Sequence, residues 1–194
     1  IDLLRYQVKG TYAWLEMTVS DVSEEQANWK PPPPGVANSI GAVYAHLTVV
    51  ADFDLNSRLY GRMPVIASEF KGAVGMSDMH RGGFDWHDWA VRLRVDWDAL
   101  RRYGEAVRRS LENSLDSVTM EELERPVDMS AHGLGTWKGL DIYVLHGVDH
   151  PRLHGGEIAC LKGLQGASGW TQGWSADRTA AAVLRGGASK EGQA

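Results

Sequence analysis

Stretches of helical periodicity alternate along the chain with connections rich in glycine and proline. From Leu3 to about Val22 the apolar positions Leu4, Val8, Tyr12, Leu15 and Val19 recur every three or four residues, which predicts a first amphipathic helix. Ser23-Glu24-Glu25-Gln26 matches a capping box and predicts a short helical turn. The run Pro31 to Pro34, closed by Gly35, cannot be helical and reads as a rigid extended connector. Asn38 or Ser39 is placed to cap a second long helix that carries Ile40, Val43, Tyr44, Leu47 and Val50 and reaches toward Tyr60. Gly61 to Gly83 keeps no sustained period. It reads as a long loop with a short helical piece, expected to border a site.

The period returns at Asp85. Trp86, Trp89, Leu93, Trp97, Leu100, Tyr103, Val107, Leu111 and Leu115 step by three or four, which predicts one unbroken helix. Thr119-Met120-Glu121-Glu122 opens another short turn as a capping box, ended by Pro126. Asp128 to Gly135 is a polar loop; a few extended residues near 127–135 could pair, but no convincing strand is read there. Thr136 is expected to cap a last long helix ending near Gly163–Gly166. The expected architecture is all-α: a four-helix bundle with long connections between helices over residues 1–166. A Gly/Ala-rich extension follows at 167–194, with Trp170 and Trp174 in it.

Composition changes this picture little. A chain of 194 residues, 43% hydrophobic and 23% charged, fits one globular domain. The net charge of −5, with no block of Lys and Arg, excludes a phosphate-binding stripe and argues against nucleic acid. The basic residues of Arg92 to Arg109 alternate with apolar and acidic ones and read as a solvated helix face. One cysteine, Cys160, rules out an internal disulfide framework and makes a cytoplasmic setting the simplest expectation. No apolar run is long enough to span a membrane, and no signal-peptide pattern is present. The chain begins at Ile1 without methionine, so further native N-terminal residues are expected.

The chemistry concentrates in Tyr143 to Glu157, which holds three of the seven histidines: His146, His150 and His154. Residues four apart share one helix face, so two of these imidazoles can reach one metal ion. Pro151 lacks the N–H that would bond Gly147 and should kink the helix or restart it. A restart keeps His150 and His154 together and swings His146 away, to stand behind the ligands or merely pack. A third ligand must come from another helix, where His46 is the histidine available. Glu157 has two readings: it orients a ligand imidazole or acts as a base, or it pairs with Arg152 or Lys162. Asp149 reads as surface, Cys160 as a small core residue, and His80, His87 and His132 as loop histidines on the surface, His132 with a possible place lining a pocket.

Trp29-Lys30-Pro31-Pro32, Asn38-Ser39-Ile40-Gly41 and His46-Leu47 together resemble one sequence block of the DinB-like superfamily, which includes the YfiT-type metal-dependent hydrolases. His150-x-x-x-His154-Gly-Gly-Glu-Ile158, with Leu161 and Gly163-Leu164-x-Gly166, is similar to the second block of that family. Pro151 and Gly155 depart from its pattern. The resemblance implies a divalent metal, often zinc or nickel, held by His46, His150 and His154, and frequently a homodimer. Where family members have a known activity, several transfer low-molecular-weight thiols such as bacillithiol or mycothiol, or use them in isomerisation. Three readings follow: a metal-dependent enzyme, thiol transferase or hydrolase, in which Glu157 is the catalytic candidate; a non-catalytic binder of metal or a small ligand; or histidines simply packed in a core.

Overall fold

The computed structural model describes residues 1–33, 35–80, 86–130 and 133–169. It is mostly helical. Four long helical stretches form the bundle: α1 (Asp2–Val19), α3 (Ile40–Asp52), α6 (Trp97–Ser117) and α9 (His150–Leu164). Short helices α2 (Glu24–Asn28), α4 (Val65–Ser68), α5 (Trp86–Arg92), α7 (Met120–Glu124) and α8 (Gly139–Val144) fill the connections. α1 packs on α6 and α9, and α3 packs on the same two, so α1 and α3 stand on opposite corners. The core between them is continuous and includes Val8, Leu15, Ile40, Leu100, Tyr103, Leu115, Tyr143 and Ile158.

Local signals account for most of the ends. Ser39 caps α3 by accepting from the Ala42 N–H at 3.2 Å. Ser23 and Thr119 form both expected capping boxes. α3 runs on into a wider π-helical turn, Phe53–Leu59, which carries it as far as the expected end near Tyr60. The first helix is shorter than expected, ending at Val19.

Three expectations need correction. The helix predicted without interruption from Asp85 breaks at residues 93–96, between α5 and α6. There the backbone has better partners at long range than a helix would offer. Asn28 clasps Val95 from both sides, accepting from its N–H and donating to its carbonyl, each at 2.9 Å. The Arg94 N–H goes to Ser77 Oγ at 2.9 Å and the Asp96 N–H to the Gly75 carbonyl at 2.8 Å. Asp96 then caps α6 through the Ala99 N–H. Second, residues near 127–135 do pair. β1 (Pro126–Asp128) and β2 (Thr136–Lys138) form an antiparallel ribbon with Val127 opposite Trp137. Thr136 is therefore a strand residue and does not cap; the helix starts after Lys138, whose N–H goes to the Asp141 carboxylate. Third, Cys160 is exposed, because the core face of α9 is taken by Ile158, Leu161 and Lys162.

The last helix carries the departures from the family pattern. Between α8 and α9 lies a second π-helical turn, Leu145–Asp149, and α9 restarts with Pro151 in its first turn, as the sequence led one to expect. The carbonyl of His146 accepts instead from the Tyr12 hydroxyl of α1 at 2.9 Å. Gly155 allows α1 to come close, since a Cβ there would run into the Trp14 indole. Lys162, almost fully buried, donates to the Thr18 carbonyl at 2.8 Å and pairs with Asp21, closing the end of α1 onto α9. Among the described residues no helix is long and apolar enough to cross a membrane. The extension expected from residue 167 lies outside the described residues beyond 169, as does His132.

Candidate metal centre

α3 and α9 each bring imidazoles to the same point. His46 sits two turns into α3, behind the Ser39 cap, and His150 and His154 lie one turn apart at the start of α9. One ligand atom from each of the three lies within 4.8 Å of the others. Ring centroids are 5.1 Å apart for His46 and His150, 5.2 Å for His46 and His154, and 4.7 Å for His150 and His154. Among the described residues, this is the one such group of histidine, cysteine and carboxylate side chains.

The second ring nitrogens are as telling as the first. His154 Nδ1 bonds Glu157 Oε2 at 2.8 Å, so the remaining nitrogen, Nε2, is the one left for a ligand. Of the partners considered for Glu157, the structure pairs it with His154, while Lys162, one of the two alternatives beside Arg152, bonds Thr18 and Asp21. His46 and His150 each bury an Nδ1 that has no hydrogen-bond partner. Buried polar atoms in native proteins are nearly always satisfied, so two orphans in one cluster call for a missing partner.

Electrostatics point the same way. Burial, then the neighbouring His154 and His80, push the His46 pKa down to about 4. Burial, then His146, His154 and His46, push that of His150 down to about 3. Both rings are therefore neutral at pH 7, the form that binds a metal. The donor set, three imidazoles and no thiolate, fits a borderline divalent ion.

The other candidates separate. Asp149 is exposed, as expected. His146 is not among the converging ligands; it is buried, with Nε2 at 2.9 Å from Asp54 Oδ2. His80 is not a free surface histidine. It is half-buried and stacks on Trp86, the ring centroids 3.5 Å apart and the planes at 8°. Trp86 in turn meets His46 edge to face at 4.3 Å, so His80, in the described part of the loop expected to border a site, reaches the cluster by way of Trp86. Sequence reasoning missed Trp86 and Asp54 in this role. A signal for Asp54 existed: Asp52 and Asp54 are acids within a helix otherwise dominated by apolar residues.

A comparison with curated proteins finds no match. A sequence profile described as the DinB superfamily matches residues 7–158, a span that contains all three histidines.

Proposed function

The chain belongs to the DinB superfamily, and from this membership and its histidine cluster we propose that it is a metal-dependent enzyme transferring a low-molecular-weight thiol to an electrophile. His46, His150 and His154 hold the ion, zinc or nickel. The observation that carries the reading is the convergence of these three imidazoles from two helices. A divalent ion bound there supplies Lewis acidity, which lowers the pKa of a thiol or water at its open position.

The protein supplies the rest. Burial keeps His46 and His150 unprotonated, and Glu157 fixes the ring of His154. Trp86, stacked against His80, gives the cluster an aromatic side beside His46. Glu157 is committed to His154 and is not a free base. That favours a nucleophile acidic enough to ionise without one, and a thiol meets this condition better than water does. Hydrolysis is the second reading. It requires Glu157 to leave His154 and accept a proton from water.

The test begins with elemental analysis of protein purified without a metal-affinity tag, beside a His46→Ala/His150→Ala double variant. About one ion per chain, absent from the variant, supports the centre. Small thiols are then screened against electrophiles with and without chelator. Turnover without any thiol would move the reading to the hydrolase, and no metal uptake from zinc or nickel solution would overturn both.

A further inference from the structure

We infer that Asp54 and His146 form an outer support of the metal centre, with His146 accepting a hydrogen bond from His150 and so holding that ligand in place. The inference rests on the metal-binding part of the reading above.

Both residues lie in the two π-helical turns, Asp54 in Phe53–Leu59 and His146 in Leu145–Asp149. Such turns widen a helix locally and re-aim its side chains. Here they bring a carboxylate and an imidazole together, His146 Nε2 at 2.9 Å from Asp54 Oδ2, with both side chains buried. Arg58 takes the other oxygen, Oδ1, so the carboxylate is held at both ends. The Tyr12 hydroxyl holds the backbone carbonyl of His146.

The tautomer follows from the partner. A carboxylate accepts, so Nε2 is the donor of His146 toward Asp54, and in that tautomer Nδ1 is a lone-pair acceptor. That Nδ1 is buried and has no partner. One turn further on, His150 also buries an Nδ1 without a partner, and the two ring centroids are 5.7 Å apart. A metal-ligating imidazole nearly always donates its second N–H to an acceptor. His154 has its acceptor in Glu157; His150 has none yet. With Nε2 of His150 on the ion, the proton of that ring resides on Nδ1. The structure leaves both nitrogens unpaired, on rings whose centroids are 5.7 Å apart, and the inferred bond forms when the ion fixes the His150 ring. Asp54, His146 and His150 make one chain behind the ion, and His146 is a positioning residue.

The test uses the full chain, stripped and reloaded with zinc, with His146→Phe, His146→Asn and Asp54→Asn variants. Zinc affinity is read by competition with a chromophoric chelator, and the imidazole protons of the zinc form are read by proton–nitrogen NMR. The parent is expected to show a slowly exchanging proton on His150 Nδ1. His146→Phe should lose that signal and bind zinc about 10–100-fold more weakly. His146→Asn places an amide oxygen where Nδ1 stood and should recover most of the affinity, a rescue that a packing role would not give. Circular dichroism of each apo variant establishes that it folds. If His146→Phe does not, Asp54→Asn decides: weaker zinc binding and a broadened ring-proton signal support the chain, and unchanged values overturn it. A folded His146→Phe that binds like the parent, or a His146→Asn as weak as His146→Phe, overturns the inference while leaving the metal centre standing. A parent that takes up no zinc overturns the metal reading and this inference with it.

Discussion

Two polar clusters hang from α3, one around Asp52 and one around His46, and what separates them most is whether their members are paired. Around Asp52 everything is paired. Its Oδ1 accepts from the Asn56 amide and the Val65 N–H, both at 2.8 Å. Its Oδ2 accepts from the Ile66 N–H at 2.9 Å and the Tyr103 hydroxyl at 2.8 Å. Ser110 completes the set on the Asn56 carbonyl oxygen. Burial and this carboxylate push the Tyr103 hydroxyl pKa well up, so it remains a donor. Around His46 the second nitrogens of two rings are left over. A saturated cluster ties α4 and α6 to α3 and offers nothing to a ligand. An unsaturated one stabilises the chain poorly by itself and has valences to give. Burial alone would have ranked Asp52, which is 0% exposed, above the histidines as a site; satisfaction reverses that order.

The sharpest way to break the contrast is Asp52→Ala. It strands two backbone N–H groups, the Tyr103 hydroxyl and the Asn56 amide without an acceptor, and should cost about 3–5 kcal/mol in urea unfolding. A loss under about 1 kcal/mol would mean that the network is not structural. His150→Ala comes next and behaves oppositely. The metal-free variant should lose less than Asp52→Ala does, because the ring it removes is unpaired at Nδ1. What it should lose is the gain on adding zinc, about 2.7 kcal/mol for the parent at a free concentration 100 times Kd. Unfolding curves with and without zinc check both halves. A parent with no zinc-dependent shift would remove the distinction between the clusters.

The same contrast explains what could be read from the sequence. The four long helical stretches were legible, because capping residues and apolar spacing are local and Ser39, Ser23 and Thr119 act within their own turn. The grouping of His46 with His150 and His154 was legible for a related reason: Pro151 announces the restart of α9, and a seam of histidines is rare. The break at residues 93–96 was not, since Asn28, Ser77 and Gly75 dictate it from 17 to 67 positions away. The π-helical turns have no periodic signature, and they alone bring Asp54 to His146. The Asp52 network was hidden because a carboxylate in an apolar helix does not reveal its donors, two of which are main-chain amides beyond a turn.

Acid should separate the clusters with a smaller effect. In the folded metal-free chain His46 and His150 have pKa values of about 4 and about 3, below the ordinary imidazole value of 6.5. The unfolded chain therefore takes up these protons first as the pH falls. Stability is fully present above about pH 6.5 and is progressively lost from there toward pH 3. In the His46→Ala/His150→Ala variant this part of the decline should disappear, leaving the shallower slope due to other groups. Thermal melts across that range in chelator provide the check. An equal slope in parent and variant would place the acid sensitivity elsewhere.

The smallest expected effect on stability is also the most discriminating. Glu157 is 37% exposed where it meets His154, so solvent screens the pair. Glu157→Gln should change metal-free stability by less than about 0.5 kcal/mol. It nevertheless removes the charge that fixes the His154 ring, and outer partners of that kind are worth about 10–100-fold in metal affinity. The variant should thus be indistinguishable from the parent in urea without zinc and clearly weaker in a zinc competition. A residue of the Asp52 kind cannot do this, because its loss is felt in the fold whether or not an ion is present. Should Glu157→Gln instead destabilise the metal-free chain and leave zinc affinity intact, its bond to His154 would belong with the saturated cluster, and the orienting role assigned to Glu157 would fall.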